Sequence, residues 1–169
     1  LLLSDDFKGS VSDPYVMGFR YIGTNANDSA SNNQSVVNEY VADETIAIGD
    51  ALRFVTSSDS GLTPGRVIKS SATDSSDAEC IGIAKSSGSQ GDTVQVVSDG
   101  RANVLFSSAP NSSQNGQRVY LSTTDGEATL TAPSGSGNSV VSLGRIQGAD
   151  GATSTPICLI SIKEIITLG

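Results

Sequence analysis

From Glu39 onward, apolar residues recur in short runs, mostly at every second position, and turn residues separate the runs. Alternation of that period marks strands with one buried face. It predicts strands over residues 45–48, 51–56, 67–70, 80–84, 93–97, 102–106, 118–122, 128–131, 139–146 and 156–166. Thr124-Asp125-Gly126-Glu127, set between Val119-Tyr120-Leu121 and Ala128-Thr129-Leu130, predicts a hairpin with Asp-Gly at its tip. No stretch holds a helical apolar period over eleven residues, and only residues 75–79 could make one helical turn. Strands at roughly ten-residue spacing predict an all-β fold, a small β-barrel or β-sandwich.

The chain also repeats itself weakly. Gly49-Asp50-Ala51-Leu52-Arg53-Phe54-Val55-Thr56 matches Gly116-Gln117-Arg118-Val119-Tyr120-Leu121-Ser122-Thr123 in pattern, and Gly91-Asp92-Thr93-Val94-Gln95-Val96 is a shorter third copy. In each, Gly permits a tight turn, a polar residue stabilises it, and alternating apolar residues then form a half-buried strand. Similar closing strands follow the two longer copies, Cys80-Ile81-Gly82-Ile83-Ala84 and Val141-Ser142-Leu143-Gly144-Arg145-Ile146. Two related β units folding into one small barrel is the expectation.

Residues 1–38 depart from this pattern. Isolated apolar groups are followed by the polar tract Thr24 to Gln34, which cannot bury enough apolar surface to order itself and reads as a loop or linker. Phe7, Tyr15, Phe19 and Tyr21 lie here, half of the four Phe and four Tyr of the chain, and Met17 lies among them. That concentration marks an anchor that packs on its own domain or on a neighbour. The expected organisation is an N-terminal arm and linker at 1–38 and a β domain at 39–169.

Composition narrows the function. Across 169 residues the net charge is −8, and the ten basic residues are scattered with no two adjacent, which argues against nucleic acid as partner. No apolar run approaches a membrane-spanning length, and Leu1-Leu2-Leu3 lacks the charged flank and cleavage site of a signal peptide. Aromatic residues are 5%, with no Trp, and Ser, Thr and Gly make up about a third of the chain. There is no His, so Ser-His-Asp and Cys-His catalysis and His-ligated zinc are excluded. Cys80 and Cys158 sit in apolar runs and read as buried thiols, with a disulfide between two strands as the alternative.

At the start of the predicted domain, Val41-Ala42-Asp43-Glu44-Thr45-Ile46-Ala47-Ile48-Gly49-Asp50-Ala51-Leu52 resembles the opening of capsid decoration and head-fibre proteins of tailed bacteriophages, with the pattern V-A-x-E-x-I-x-x-G-D-x-[LV]. Ile81-Gly82-Ile83-Ala84 and Gly91-Asp92-Thr93-Val94-Gln95-Val96 are similar to the G-I-A and G-D-x-V-x-V segments of that family, and 116–146 to its second half. The resemblance covers roughly residues 40–150. It implies a β-tulip-like domain in a non-enzymatic virion protein on the capsid surface, commonly a trimer, with the major capsid protein as partner and no cofactor. Phe7, Tyr15, Met17, Phe19 and Tyr21 are then the candidate capsid or subunit contacts. The alternative is an adaptor or receptor-binding module of a tail fibre contacting host glycan.

Other chemistry reads as structural. Asp74, Asp77 and Glu79 lack the spacing of a dedicated calcium loop and read as a solvated loop, as do Asp5-Asp6 and Asp43-Glu44. Ser134-Gly135-Ser136-Gly137 lacks the Lys and following helix of a phosphate loop. The apolar run at 156–166 reads as a central strand. No catalytic, cofactor or metal-binding residue is assigned.

Overall fold

The computed structural model describes residues 35–168, and among them every regular element except one 3-10 turn, Ser112–Gln114, is a strand. The strands are β1 (Val36–Val41), β2 (Ala51–Phe54), β3 (Val67–Lys69), β4 (Cys80–Ala84), β5 (Thr93–Asn103), β6 (Arg118–Leu121), β7 (Ala128–Thr129), β8 (Ser139–Gly148) and β9 (Ile157–Thr167). They form one curled antiparallel sheet of half-barrel form in the order β3-β2-β4-β5-β9-β8-β6-β7, with β1 pairing β5 off this path. The all-β expectation holds.

The sequence repeat is a structural repeat, down to the register. Ala51 pairs Ile83 and Leu52 pairs Gly82, and a bulge then brings Arg53 opposite Cys80. In the second repeat Arg118 pairs Arg145, Val119 pairs Gly144, and a bulge at the same place brings Tyr120 opposite Ser142. The amides of Gly49 and Gly116 donate to the carbonyls of Ala84 and Ile146 at 2.9 and 2.8 Å. Asn38 pairs Val96 on β5 as Ala102 pairs Cys158 on β9. The long strand β5 therefore serves twice, closing the first repeat with its N-terminal half and opening the second with its C-terminal half. In each repeat the opening segment comes round to the short edge strand through an isolated parallel bridge, Ala42 to Val67 and Phe106 to Ala128.

The expected small barrel takes the form of an open half-barrel, one curled sheet whose two repeats hold two apolar clusters. Leu52, Val67, Ala84, Val94 and Val96 pack together with Ala42 and Ile46 in the first. Val119, Leu121, Ile146, Cys158 and Ile160 pack in a larger cluster that also takes Ala51 and Ile83 of the first repeat. The outer side of the first repeat is thus buried against the second.

The turns explain the Gly-Asp motifs. Gly49 and Gly91 adopt φ of 97° and 91°, a left-handed region that Gly enters without steric cost. The carboxylates of Asp50 and Asp92 then accept from the amides of Ala47 and Ser89, each at 2.8 Å. This is a side-chain-closed turn before β2 and before β5. The Asp125-Gly126 hairpin forms as expected between β6 and β7. Its tip folds onto β2, where the Ala51 amide donates to the Gly126 carbonyl at 2.8 Å.

Three expectations change. Residues 45–48 form no strand; Ile46 makes only a bridge to Gly88, because the turn at Ala47–Asp50 claims the backbone there. Residues 93–97 and 102–103 belong to one strand, β5, with Gly100 at φ 100° in its middle. Val36–Val41 is a strand that no alternation announced, since Asn38 and Glu39 both face solvent.

Candidate functional site

The acidic residues of the first repeat serve as staples. Arg53 is 5% exposed, and its guanidinium donates to both carboxylate oxygens of Asp59 at 2.9 and 2.8 Å and to Asp77 at 2.6 Å. A fork of this kind matches carboxylate geometry and is worth more than an exposed pair. Asp43 is also buried, accepting from the Thr63 amide at 2.6 Å and from Arg66 at 3.0 Å, while Glu44 accepts from the Lys69 amide at 2.6 Å. The solvated reading of Asp43-Glu44 is therefore corrected, and Asp77 is paired rather than free. Asp74 and Glu79 of that group are exposed, as the solvated-loop reading expects, and Asp74 closes a turn by accepting from the amides of Ser76 and Asp77.

These pairs shift titration. Hydrogen bonds from Arg53, then from the Thr56 amide, hold the Asp59 carboxyl well below the ordinary carboxylate range. The Thr63 amide and Arg66 lower Asp43 against the opposing effect of burial. Burial under the hairpin tip raises Asp50. A depressed folded pKa contributes stability that is complete above the unfolded value, about 3.9, and is lost as pH falls toward the folded one. Replacing Asp59 with Asn is expected to lower the melting temperature at pH 6 and to flatten its decline below pH of about 4. Melting curves that fall in parallel for the wild type and Asp59→Asn would remove the ion pair from the acid limb.

Catalytic chemistry finds no support in the cysteines. Both are free, and burial pushes the Cys158 thiol up to about 12 and raises Cys80. A thiolate nucleophile needs the opposite shift. Among the described residues no group of three or more His, Cys, Asp or Glu side chains could hold a metal ion. The candidate contacts Phe7, Tyr15, Met17, Phe19 and Tyr21 lie outside the described residues.

The outer surface of the second repeat, opposite the side that carries its apolar cluster, is cationic instead. A cavity of about 570 Å3 is lined by Arg118 of β6, Ser142 and Arg145 of β8, and Leu159, Ser161 and Lys163 of β9. Arg118, Arg145, Leu159 and Arg101 stand in one cross-strand row over β6, β8, β9 and β5. The Arg145 guanidinium is held by the Gly116 carbonyl at 2.7 Å, and Arg101 donates to Gln147 at 2.5 Å. Among the described residues no carboxylate lines the cavity, and Asp99 pairs with the lining residue Ser161. Leu159 and its neighbour Ile157 are 44% and 43% exposed, so an apolar centre carries a cationic rim. An apolar centre with arginines is a common composition for a protein contact face.

Sequence reasoning missed this face because its cations lie far apart in the chain and converge only through strand pairing. One signal was present: aligning the two repeats places Arg118 where the first has Ala51.

A family model described as phage cement protein matches residues 41–162, from the last residue of β1 into β9. No curated protein matches the chain.

Proposed function

The chain belongs to the phage cement protein family, and from that premise we propose that it binds the outer surface of a phage capsid, contacts the major capsid protein and stabilises the assembled shell. Membership carries a structural, capsid-associated role in the virion, on the capsid surface. The observation that supports the finer reading is the extent of the match, which takes in both repeats and so almost all of the described sheet. The tail-fibre alternative is not favoured by it.

The proposed mechanism is linkage. A protein that binds the assembled shell and not its separated subunits shifts the equilibrium toward the shell, by an amount set by its concentration over its dissociation constant. Many identical sites on the lattice supply avidity without a catalytic pocket, and the reading is non-enzymatic with no cofactor. We place the arm at 1–38 and the β domain at 39–169, with Phe7, Tyr15, Met17, Phe19 and Tyr21 as arm contacts and a homotrimer as the assembled form.

Sedimentation of the purified chain with undecorated phage heads tests this. Co-sedimentation at a fixed copy number for each lattice site is the expected result, and heads that pellet without the chain would refute capsid binding. Deleting residues 1–22 is expected to abolish co-sedimentation while the far-ultraviolet spectrum of the β domain persists. Undiminished binding by the truncated chain would take the arm out of the account.

A further inference from the structure

We propose that the cationic face of the second repeat is a docking site for the carboxylate-rich first repeat of a second copy of this chain, so that copies join head to tail. The proposal rests on the homo-oligomer part of the reading above and names the surface that makes it.

The structural repeat supplies the first argument. Arg118, Arg145 and Leu159 occupy the positions that Ala51, Ile83 and Val97 hold in the first repeat, by the same strand pairings and the same bulge. Ala51, Ile83 and Val97 are each 0% exposed, and Ala51 and Ile83 pack into the cluster of the second repeat. Within one chain, then, this side of the first repeat is covered by the next repeat along. The same side of the second repeat is exposed at Arg118, Arg145 and Leu159.

Charge supplies the second. Arg118 and Arg145 stand directly opposite each other across β6 and β8, an arrangement of like charges that destabilises a sheet unless counter-charge is brought to it. Among the described residues no ion pair neutralises either of them. The chain itself holds the complement. Residues 35–103 contain ten carboxylates against five cations, whereas residues 104–168 contain four against three. Glu39, Asp74, Glu79 and Asp92 of the first repeat are exposed. The unpaired cations and the exposed carboxylates lie on different repeats, so the contact is heterologous. A heterologous contact closes into a ring when its rotation permits, which is how a trimer would arise.

Sedimentation velocity on the full chain tests the site. The wild type is expected to associate in about 50 mM salt and to weaken by about tenfold or more in about 500 mM, since exposed charge pairs are screened over that range. Arg118→Glu with Arg145→Glu is expected to weaken association by about a hundredfold, and Arg118→Gln with Arg145→Gln by an intermediate factor. Both pairs of substitutions are on exposed side chains, and an unchanged circular dichroism spectrum verifies the fold. A double-Glu variant that sediments as the wild type does would overturn the docking site and leave the oligomer reading standing. A wild type that stays monomeric at about 100 μM in about 50 mM salt would overturn both. Head co-sedimentation of that monomer would still support capsid association.

Discussion

Ile160→Asp is expected to leave no soluble native protein. Ile160 is 1% exposed within the larger apolar cluster, and its pairing partners on both sides are glycines, Gly100 of β5 and Gly144 of β8. Neither partner offers a side chain that could accept or donate to a carboxylate. Losing a buried Ile side chain costs about 2–5 kcal/mol by itself. An unpaired buried carboxyl adds several more, even if it takes up a proton to stay neutral. Total stabilities of domains run at about 5–15 kcal/mol, so the substitution removes most or all of it. Ile160→Val, which keeps the shape, is expected to cost about 1 kcal/mol. Expression yield and urea unfolding of the two variants check this, and an Asp variant that is soluble with the wild-type unfolding midpoint would show that strand β9 is not central to the fold.

Gly144→Ala carries the second largest effect. Gly144 has φ 150°, a value that favours glycine, and a Cβ placed there would fall on the Leu159 carbonyl oxygen and within 3.1 Å of the Ile160 Cα. Both are backbone atoms of the neighbouring strand, so relief means separating β8 from β9, the most extensively paired strands of the sheet. Backbone strain and overpacking each cost about 1–3 kcal/mol. Their sum corresponds to a fall in melting temperature of roughly 10 °C or more for a domain of this size. Gly148, on the same strand, is the control: a Cβ there meets only the Ile157 Cβ, at 3.7 Å. Gly148→Ala is expected to melt within a few degrees of the wild type. Equal melting temperatures for the two variants would show that the sheet yields at Gly144.

Gly82 stands at the matching position of the first repeat, where a Cβ would come 2.6 Å from the Val97 carbonyl oxygen. The two glycines explain why G-I-A and L-G-R-I appear in the sequence at all. Each lets the next strand approach its backbone at the point where β2 or β6 bulges.

Much of the architecture could be read from residue order. Short apolar runs between turn residues located β2, β3, β4, β6 and β8, although only β6 alternates strictly in burial and β2 is buried on both faces, and the Asp125-Gly126 turn located its hairpin. The repeat was visible because Gly followed by a polar residue is required by turn chemistry, which acts within four residues. The same local chemistry misled at residues 45–48, where alternating Ile46 and Ile48 belong to a turn region and not to a strand. Strand β1 escaped notice because its pairing with β5, and not its own pattern, holds it in place.

By itself, the amino-acid order determined an acidic, histidine-free, all-β chain built twice over, with a family resemblance that the match over 41–162 bears out. Those features depend on local turn geometry, on period and on composition, none of which needs distant residues to meet. Tertiary structure alone decided that β5 would serve both repeats, and that Asp43, Asp59 and Asp77 would be tied to Arg66 and Arg53. It also decided that Arg101, Arg118, Arg145 and Lys163 would gather on one face. Burial and charge proximity are set by which strands lie side by side, and strand order is a long-range property that no window of sequence contains.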